Sequence, residues 1–235
     1  MVILNLPYGG RVGGGFYLPI TTYKRNMEKK IIINIGRQLG SGGGEIARIL
    51  AEEFGCKLYD KELLNLAAKE SGFSEKVFEQ NDEQRGFLRS LFHMHAPHIS
   101  DNNFYKSDFS QESLFQFQSD AIRKAAEKGS CIFVGRCADY VLRDMKGVVN
   151  IFITADMDQR IQAVCKRHGC DRATARKIIT SKEDQRSSYY NYYTGQKWGN
   201  AENYHLCINS SVLGIEGTAE FIKRFIKNEE DRNNK

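Results

Sequence analysis

Four of the five residues from 40 to 44 are glycine, and they lie a few residues after an apolar segment. From Ile31 the sequence reads IIINIGRQLGSGGGEIA. The apolar residues 31–35 are typical of a strand that is buried on both faces. After the glycines, apolar residues recur at helical spacing, at Ile46, Ile49, Leu50 and Phe54. The pattern predicts a strand, a glycine-rich loop and a helix in succession.

A glycine-rich loop between a strand and a helix is typical of a phosphate-binding loop. In the common pattern GxxxxGK[ST], backbone N–H groups surround the phosphates, the lysine contacts the β- and γ-phosphates and the hydroxyl binds magnesium. If Gly42 is the last glycine of that pattern, Gly43 stands in place of the lysine and Gly44 in place of the hydroxyl residue. Backbone N–H groups at a helix N-terminus still attract anions. We therefore predict a phosphate site at Gly40, Ser41, Gly42, Gly43, Gly44 and Glu45.

The alternative interpretation of the glycines is a tight turn that only joins the strand to the helix. Such a turn needs one or two glycines, because only a position with positive φ or a close backbone contact requires one. Four glycines in five positions favour the phosphate loop over the simple turn.

Strands and helices alternate along the rest of the chain. Further strands are predicted at residues 57–59, 131–134, 148–154 and 205–208, with helices after Asp60, Ser110, Asp156 and Asp171 and around residues 221–226. This alternation predicts an α/β fold of three layers, a parallel sheet with helices on both faces. Residues 1–26 carry five glycines and two of the three prolines without periodicity. We expect a flexible extension there, Met27 as a candidate start, and one domain over residues 27–235.

Composition limits the location and the partners of the chain. The formal net charge is +5, which suits a phosphorylated small molecule as well as nucleic acid. The six cysteines form no CxxC pair, as expected for buried thiols in a reducing compartment. No apolar run approaches the roughly 20 residues of a membrane span, and the first residues do not resemble a secretory signal. A cytoplasmic protein without a membrane partner is the expectation.

Arginines in the second half of the chain could supply the charge that the loop lacks. On the helix after Asp171, Arg172, Arg176 and Arg186 can share one face, since Arg172 and Arg186 lie about 40° apart around the helix axis. Lys182 lies beside them. Such a face suits a lid over a transferring phosphoryl group, although Glu183 and Asp184 also fit an ordinary solvated helix. Arg136 follows Gly135 at the end of a strand, where open α/β sheets bind ligands.

The chain resembles the cytidylate kinase-like family, a branch of the P-loop nucleoside monophosphate kinases, over residues 30–226. The resemblance rests on INIGRQLGSGGGEIA, LYDKELLNLAA, FVGRCADYVLR, IFITADMDQRIQAVCKRHG and SKEDQRSSYYNYYTGQKWGNAENYHLCINSS. It implies phosphoryl transfer from ATP, with Mg²⁺, to a nucleoside monophosphate such as CMP or dCMP. The positions that match are residues 40–45 as the loop, Asp60 and Asp139 at the substrate with Lys182, and Arg136, Arg172, Arg176 and Arg186 as catalytic arginines.

The sequence departs from the family pattern at several positions. Gly43 replaces the loop lysine, Asn65 and Leu66 replace a tyrosine and an arginine, and Cys137 replaces an aspartate for which Asp139 is the nearest substitute. The resemblance places an acceptor-binding segment at residues 72–111 and a lid at residues 171–199. Two alternatives follow from the missing lysine: a nucleotide-responsive binding protein without turnover, and a kinase of another small phosphorylated acceptor.

Two further clusters allow a structural and a functional interpretation each. His93, His95 and His98 could bind a metal, but no cysteine or spaced carboxylate completes four ligands, so we expect a loop and no metal site. The aromatic residues of SSYYNYYTGQKWGN could stack on a base or pack the end of a helix against the sheet, and packing is favoured for the set. No recognised nucleic-acid-binding module accompanies them, so nucleic acid is not an expected partner.

Overall fold

The computed structural model describes residues 30–60 and 111–232. Five strands lie in this part of the chain: β1 (Ile32–Arg37), β2 (Lys57–Tyr59), β3 (Cys131–Val134), β4 (Val148–Thr154) and β5 (Leu206–Asn209). The described α-helices are α1 (Gly43–Glu53), α2 (Gln111–Lys128), α3 (Ala138–Val141), α4 (Met157–His168), α5 (Arg172–Thr194) and α6 (Ser210–Arg232), with a short 3₁₀ helix at Ala201–Asn203.

All five strands are parallel and form one sheet in the order β2-β3-β1-β4-β5. The central strand β1 is buried on both faces because its residues are apolar at consecutive positions. Ile33 and Ile35 lie on one side with Ile46 of α1 and Ile222 of α6. Ile32 lies on the other side with Ile122 of α2. The predicted three-layer α/β architecture is confirmed.

Most predicted boundaries agree with the structure, and the differences have local causes. Asp171 caps α5 by accepting a hydrogen bond from the backbone N–H of Thr174 at 2.7 Å, and Gly169 ends α4 in the left-handed conformation. Strand β5 lies one residue later than predicted. The last helix already begins at Ser210, with a break at Gly214, whose φ of 70° is not helical. Helix α3 was not predicted, because four residues show no helical period.

The aromatic residues around the end of α5 pack against neighbouring elements. The ring of Tyr193 stacks on Phe115 of α2 with 4.1 Å between centroids, and Trp198 and Tyr204 contact Phe152 of β4. The expectation of packing is confirmed for Tyr193 and Trp198. The side chain of Tyr192 is 70% exposed, although its hydroxyl donates to Glu112 of α2.

Several predictions concern residues outside the described part. These are the extension at residues 1–26, Asn65 and Leu66, most of the acceptor-binding segment 72–111, and the three histidines. Within the described ranges, no helix is both long and apolar enough to cross a membrane. The six cysteines are free, but the expectation of buried thiols holds only for Cys131 and Cys137, since Cys207 is exposed and the others are half-buried.

Candidate phosphate-binding site

The glycine-rich loop joins the carboxyl end of the central strand to the first turn of α1. Gly42 caps the helix in a left-handed conformation, and no side chain caps the helix in its place. Gly40 has a φ of 82°, and a Cβ atom there would lie 2.7 Å from the carbonyl oxygen of Arg160. An alanine would be strained at this position for both reasons. The loop is therefore closely packed against α4, which a simple connecting turn does not require.

The carbonyl groups of the loop are held by donors outside it. Arg160 donates from Nε to the carbonyl oxygen of Leu39 at 2.9 Å, and the hydroxyl of Ser210 donates to the carbonyl oxygen of Ser41 at 2.8 Å. In a trans peptide the next N–H points the opposite way, so the N–H groups of Gly40 and Gly42 point away from these donors. Of the first N–H groups of α1, that of Glu45 donates to the carbonyl oxygen of Gly42 at 2.9 Å, which leaves those of Gly43 and Gly44 at the helix N-terminus. N–H groups presented at a helix N-terminus attract anions, so this side of the loop suits a phosphate group.

Two arginines from α4 and α5 hold the loop. Arg160 is buried and pairs with Glu183 of α5 while it bonds Leu39. Arg186 donates from Nη1 to the carbonyl oxygen of Arg37 at 3.0 Å. Burial lowers the pKa of Arg186, and the charge of Glu183 opposes this shift. The contact of Arg186 is with the backbone of β1, so its catalytic role stays a prediction. Arg160 was missed because nothing in its helical spacing marks it.

Arg37 is the second residue that sequence reasoning missed. A Cβ atom added to Gly43 would lie 2.6 Å from Cβ and 3.0 Å from Cγ of Arg37. A Cβ atom added to Gly135 would overlap Nη1 of Arg37. The side chain of Arg37 therefore crosses the start of α1 and ends beside the strand β3 terminus. A signal was present: with Gly42 as the last glycine of GxxxxGK[ST], the first glycine falls on position 37.

Arg136 lies next to this side chain, at the same edge of the sheet. Strand β3 pairs with β1 through Ile35 and Val134, so the two strands end side by side. Gly135, Arg136 and Cys137 are consecutively left-handed, with φ of 78°, 60° and 56°. The guanidinium of Arg136 lies 5.1 Å from the ring centroid of Tyr189. The predicted position of Arg136 at the ligand edge of the sheet agrees with the structure.

The structure does not bring Arg172 and Arg176 together with Arg186 at the loop. Fourteen residues separate Arg172 from Arg186 on α5, which corresponds to about 21 Å along a helix axis. Arg172 is exposed and pairs with Asp158 at 2.6 Å. Arg176 lies on the outer surface of α5, where it lines a shallow depression with Lys177, Thr180 and Asp184. The prediction of a shared helical face considered the angle around the axis and not the distance along it. The catalytic roles of Arg172 and Arg176 stay predictions.

The predicted substrate residues lie at different places. The side chain of Asp139, in the first turn of α3, accepts from the Tyr190 hydroxyl at 2.7 Å. Burial raises the pKa of Asp139, although this hydrogen bond acts in the opposite direction. Asp60 follows β2 at the carboxyl edge, two strands from β1. Lys182 is exposed, and its ammonium donates to Gln185 at 3.3 Å. Their roles toward a substrate stay predictions.

The residues around the loop bear on how a metal would be bound. Gly44 provides no hydroxyl, and the Ser41 hydroxyl donates to the carbonyl oxygen of Gln38 at 2.9 Å. No cluster of three or more His, Cys, Asp or Glu side chains able to hold a metal occurs in the described part of the chain. Glu45 is exposed in the first turn of α1. Among the described residues, a magnesium ion at this loop would therefore depend on phosphate oxygens and water for its ligands.

A parallel sheet whose central strand leads through a glycine-rich loop into a helix is the arrangement of the P-loop kinases. Within that class the chain belongs to the cytidylate kinase-like family, whose model matches residues 32–212. This membership places it among the nucleotide kinases, a class of phosphotransferases.

Similar proteins agree with this assignment. The cytidylate kinase of Methanopyrus kandleri is 27% identical over 204 residues, which cover 83% of this chain and 93% of that relative. The cytidylate kinase of Pyrococcus horikoshii is 26% identical over 199 residues, with 84% and 88% covered. The crystal structure of an uncharacterized protein from Eubacterium ventriosum has a TM-score of 0.65 at 30% identity and covers 84% of this chain and 99% of that one.

Proposed function

We propose that the protein transfers the γ-phosphoryl group of ATP to a nucleoside monophosphate, with CMP or dCMP as the preferred acceptor. The observation that carries the proposal is the loop geometry. The carbonyl oxygens of Leu39 and Ser41 are bonded outside the loop, and the N–H groups of the following glycines face the opposite side. The arginines at the same edge of the sheet add positive charge. The names of the relatives from Methanopyrus kandleri and Pyrococcus horikoshii support a cytidylate acceptor.

The reaction needs positioning and charge neutralisation more than proton transfer. The bond between the γ-phosphorus and the bridging oxygen breaks, and ADP leaves with that electron pair. A phosphate oxygen of the acceptor forms the new bond to phosphorus. Because the second pKa of a phosphate monoester is about 6, this oxygen is mostly ionised at neutral pH and needs no general base. The protein holds the two phosphates in line and stabilises the charge on the transferred group.

The proposal assigns roles to the described residues. The loop residues 40–45 bind the phosphates of Mg·ATP, and Arg136 and Arg186 act on the transferred group. Asp60, Asp139 and Lys182 face the acceptor, with Arg172 and Arg176 on the lid at residues 171–199. The proposed domain spans residues 27–235 with residues 1–26 as an extension, and we propose a cytoplasmic location.

A coupled assay tests the proposal. Purified protein is given Mg·ATP with CMP, dCMP, UMP, AMP or GMP, or with no acceptor, and ADP release is measured. We expect the highest kcat/KM with CMP or dCMP and no ADP release without acceptor. The variant Gly40→Ala, purified in parallel, is the control for contaminating kinases, because it should lose the activity with the loop geometry. If ADP release with all five monophosphates persisted in Gly40→Ala, the result would contradict the proposal.

A nucleotide-responsive binding protein is the second candidate function. It is favoured by the simultaneous loss of the lysine at Gly43 and the hydroxyl residue at Gly44. ATP binding in calorimetry, together with no transfer to any of the five monophosphates, would favour it over the kinase.

A further inference from the structure

Compared with the loop pattern, this chain has a cationic residue in place of the first glycine and a glycine in place of the lysine. In GxxxxGK[ST] the first residue is glycine and the seventh is lysine. With Gly42 as the second glycine, the first position holds Arg37 and the seventh holds Gly43. A positive charge is thus absent where the pattern requires it and present where the pattern has none. The two substitutions concern residues that contact each other.

The contact between the two positions is close. Cβ of Arg37 lies 2.6 Å from the point that a Cβ of residue 43 would occupy, and Cγ lies 3.0 Å from it. The side chain of Arg37 therefore occupies the space in which a lysine at position 43 would begin. Such a lysine and Arg37 cannot both fit without a shift, since real Cβ atoms essentially never approach other atoms that closely. With Arg37 in this position, residue 43 has room for a glycine and none for a side chain.

The rest of the Arg37 side chain extends toward the second strand of the site. Its Nη1 lies where a Cβ of Gly135 would be, beside Arg136. The backbone carbonyl of Arg37 accepts a hydrogen bond from Arg186, which fixes the backbone of the residue. Its guanidinium thus lies at the carboxyl edge, between the end of β1 and the end of β3. This is the edge at which the N–H groups of the loop are available to an anion.

We propose that Arg37 is the phosphate-binding cation of this loop and takes the role of the missing lysine toward the β- and γ-phosphates. This inference rests on the proposed function for its nucleotide ligand. A planar guanidinium can donate to two phosphate oxygens at once, whereas a lysine ammonium acts as a point charge. Arg37 would therefore contribute to ground-state binding of the phosphate chain and to stabilisation of the transferred group.

The test restores the usual arrangement of the pattern. Five variants are compared with the wild type: Arg37→Met, Arg37→Lys, Gly43→Lys, the double variant Arg37→Gly with Gly43→Lys, and Arg48→Met. Arg48 lies exposed on α1, so its variant is the control for loss of one positive charge. Binding of inorganic tripolyphosphate is measured by calorimetry, turnover by the coupled assay, and folding by thermal unfolding.

We expect Arg37→Met to lower tripolyphosphate affinity at least tenfold and kcat by about ten- to a thousand-fold, the range for removal of one preorganised donor. Arg37→Lys should retain part of the affinity, and Arg48→Met all of it. Gly43→Lys alone should bind poorly, because its side chain collides with Arg37. The double variant should bind at least tenfold better than Gly43→Lys, a non-additivity that a direct exchange of roles requires.

Two results would overturn the inference. One is wild-type tripolyphosphate affinity in Arg37→Met. The other is a loss in Arg37→Met that neither Arg37→Lys nor the double variant restores, since this would identify a packing role. If Arg37→Met does not fold, the tripolyphosphate affinities of Gly43→Lys and the double variant test the inference. Equal affinities of these two variants would overturn it. Tripolyphosphate binding through Arg37 without transfer to any monophosphate would refute only the proposed function, and transfer unaffected in Arg37→Met would refute only the inference.

Discussion

The glycines of the loop differ in the atoms that surround them. This difference shows which glycines the packing of the loop requires. A Cβ atom at Gly40 would meet the backbone of Arg160, and one at Gly43 would meet the side chain of Arg37. A Cβ atom at Gly44 would have no neighbour within 4 Å. Gly44 is also exposed within the first turn of α1. At Gly42 φ is 72° and a Cβ atom would lie 2.9 Å from Cγ1 of Ile215. Gly40, Gly42 and Gly43 therefore require the absence of a side chain for the loop to keep its shape, and Gly44 does not.

We expect Gly44→Ala to raise the free energy of unfolding by about 0.4–1 kcal/mol, because alanine restricts the unfolded chain and fits a helix. Gly40→Ala should lower it by more than about 1–2 kcal/mol, since a left-handed alanine is strained and the Cβ also displaces Arg160. Urea unfolding of the two variants checks this pair. Calorimetry should show near wild-type ATP affinity in Gly44→Ala and weak binding in Gly40→Ala. Equal loss of ATP affinity in both would show that position 44 itself faces the phosphates.

At the scale of single residues, the sequence predicted the loop and the position of Arg136 at the same edge of the sheet, and it missed Arg37 and Arg160. The glycines could be identified because few other structures need so many of them together. Arg37 reads as the last residue of a strand, and Arg160 as one charged residue of an ordinary helix. Their roles depend on partners far along the chain: Arg160 bonds Leu39, which lies 121 residues earlier. Local patterns do not contain such contacts.

At the scale of elements, helices α4 and α5 form a unit that holds the loop from one side. Ile161 and Val164 of α4 pack with Ala175 and Ile179 of α5 in a small apolar cluster, distinct from the two clusters on the sheet faces. The ion pair between buried Arg160 and half-buried Glu183 also links the helices. The same arginine bonds the loop, so a change in the packing of α4 against α5 reaches the phosphate site directly.

The variant Glu183→Gln tests this link, with Asp184→Asn as the matched control on the exposed side of the same helix. Removing the carboxylate charge leaves Arg160 buried without its ionic partner, while the glutamine oxygen can still accept a hydrogen bond. We expect the free energy of unfolding to fall by about 1–3 kcal/mol in Glu183→Gln. The control should stay within about 0.5 kcal/mol of the wild type. Urea unfolding at constant m-value measures both.

Nucleotide affinity provides the second measurement on these variants. Because Arg160 orients the carbonyl of Leu39, we expect Glu183→Gln also to weaken ATP binding, whereas Asp184→Asn should leave it unchanged. A destabilised Glu183→Gln variant with wild-type ATP affinity would show that the pair supports the helices alone.

Elements with a strong period could be predicted, and elements defined by tertiary contacts could not. Strand β3 at residues 131–134 and β4 at residues 148–154 were predicted with their observed bounds. The order of the strands was not predicted, because periodicity identifies a strand without identifying its neighbours. The start of α6 was missed because Gly214 interrupts the helical pattern after one turn.

At the scale of the whole molecule, stability should depend on pH through a half-buried carboxyl. Burial raises the pKa of Asp139 in the folded protein above its unfolded value near 4. The folded state then binds this proton more tightly, so the contribution of Asp139 to stability decreases as pH rises through the unfolded and then the folded pKa. Asp139→Asn keeps an acceptor for Tyr190 and removes the titration. We expect this variant to be more stable than the wild type at pH 7, with a smaller difference at pH 4.

Thermal unfolding of both proteins between pH 4 and pH 8 measures that difference. Asp144→Asn, whose side chain is largely exposed, is the control and should follow the wild type throughout. Parallel stability curves for Asp139→Asn and the wild type would contradict the expectation.

The central position of β1 also determines when the site can form during synthesis. Ile32 pairs with Cys131 and Val148, which the ribosome adds 99 and 116 residues later. The carbonyl of Arg37 accepts a hydrogen bond from Arg186, which is added 149 residues after Arg37. At 5–20 residues per second, this delay is about 7–30 s. The glycine loop therefore leaves the ribosome with its apolar strand unpaired, and its contacts are complete only after Arg186 has been added. Folding of the nascent chain should depend on chaperones for longer than in a protein whose first strand pairs with its neighbour in sequence.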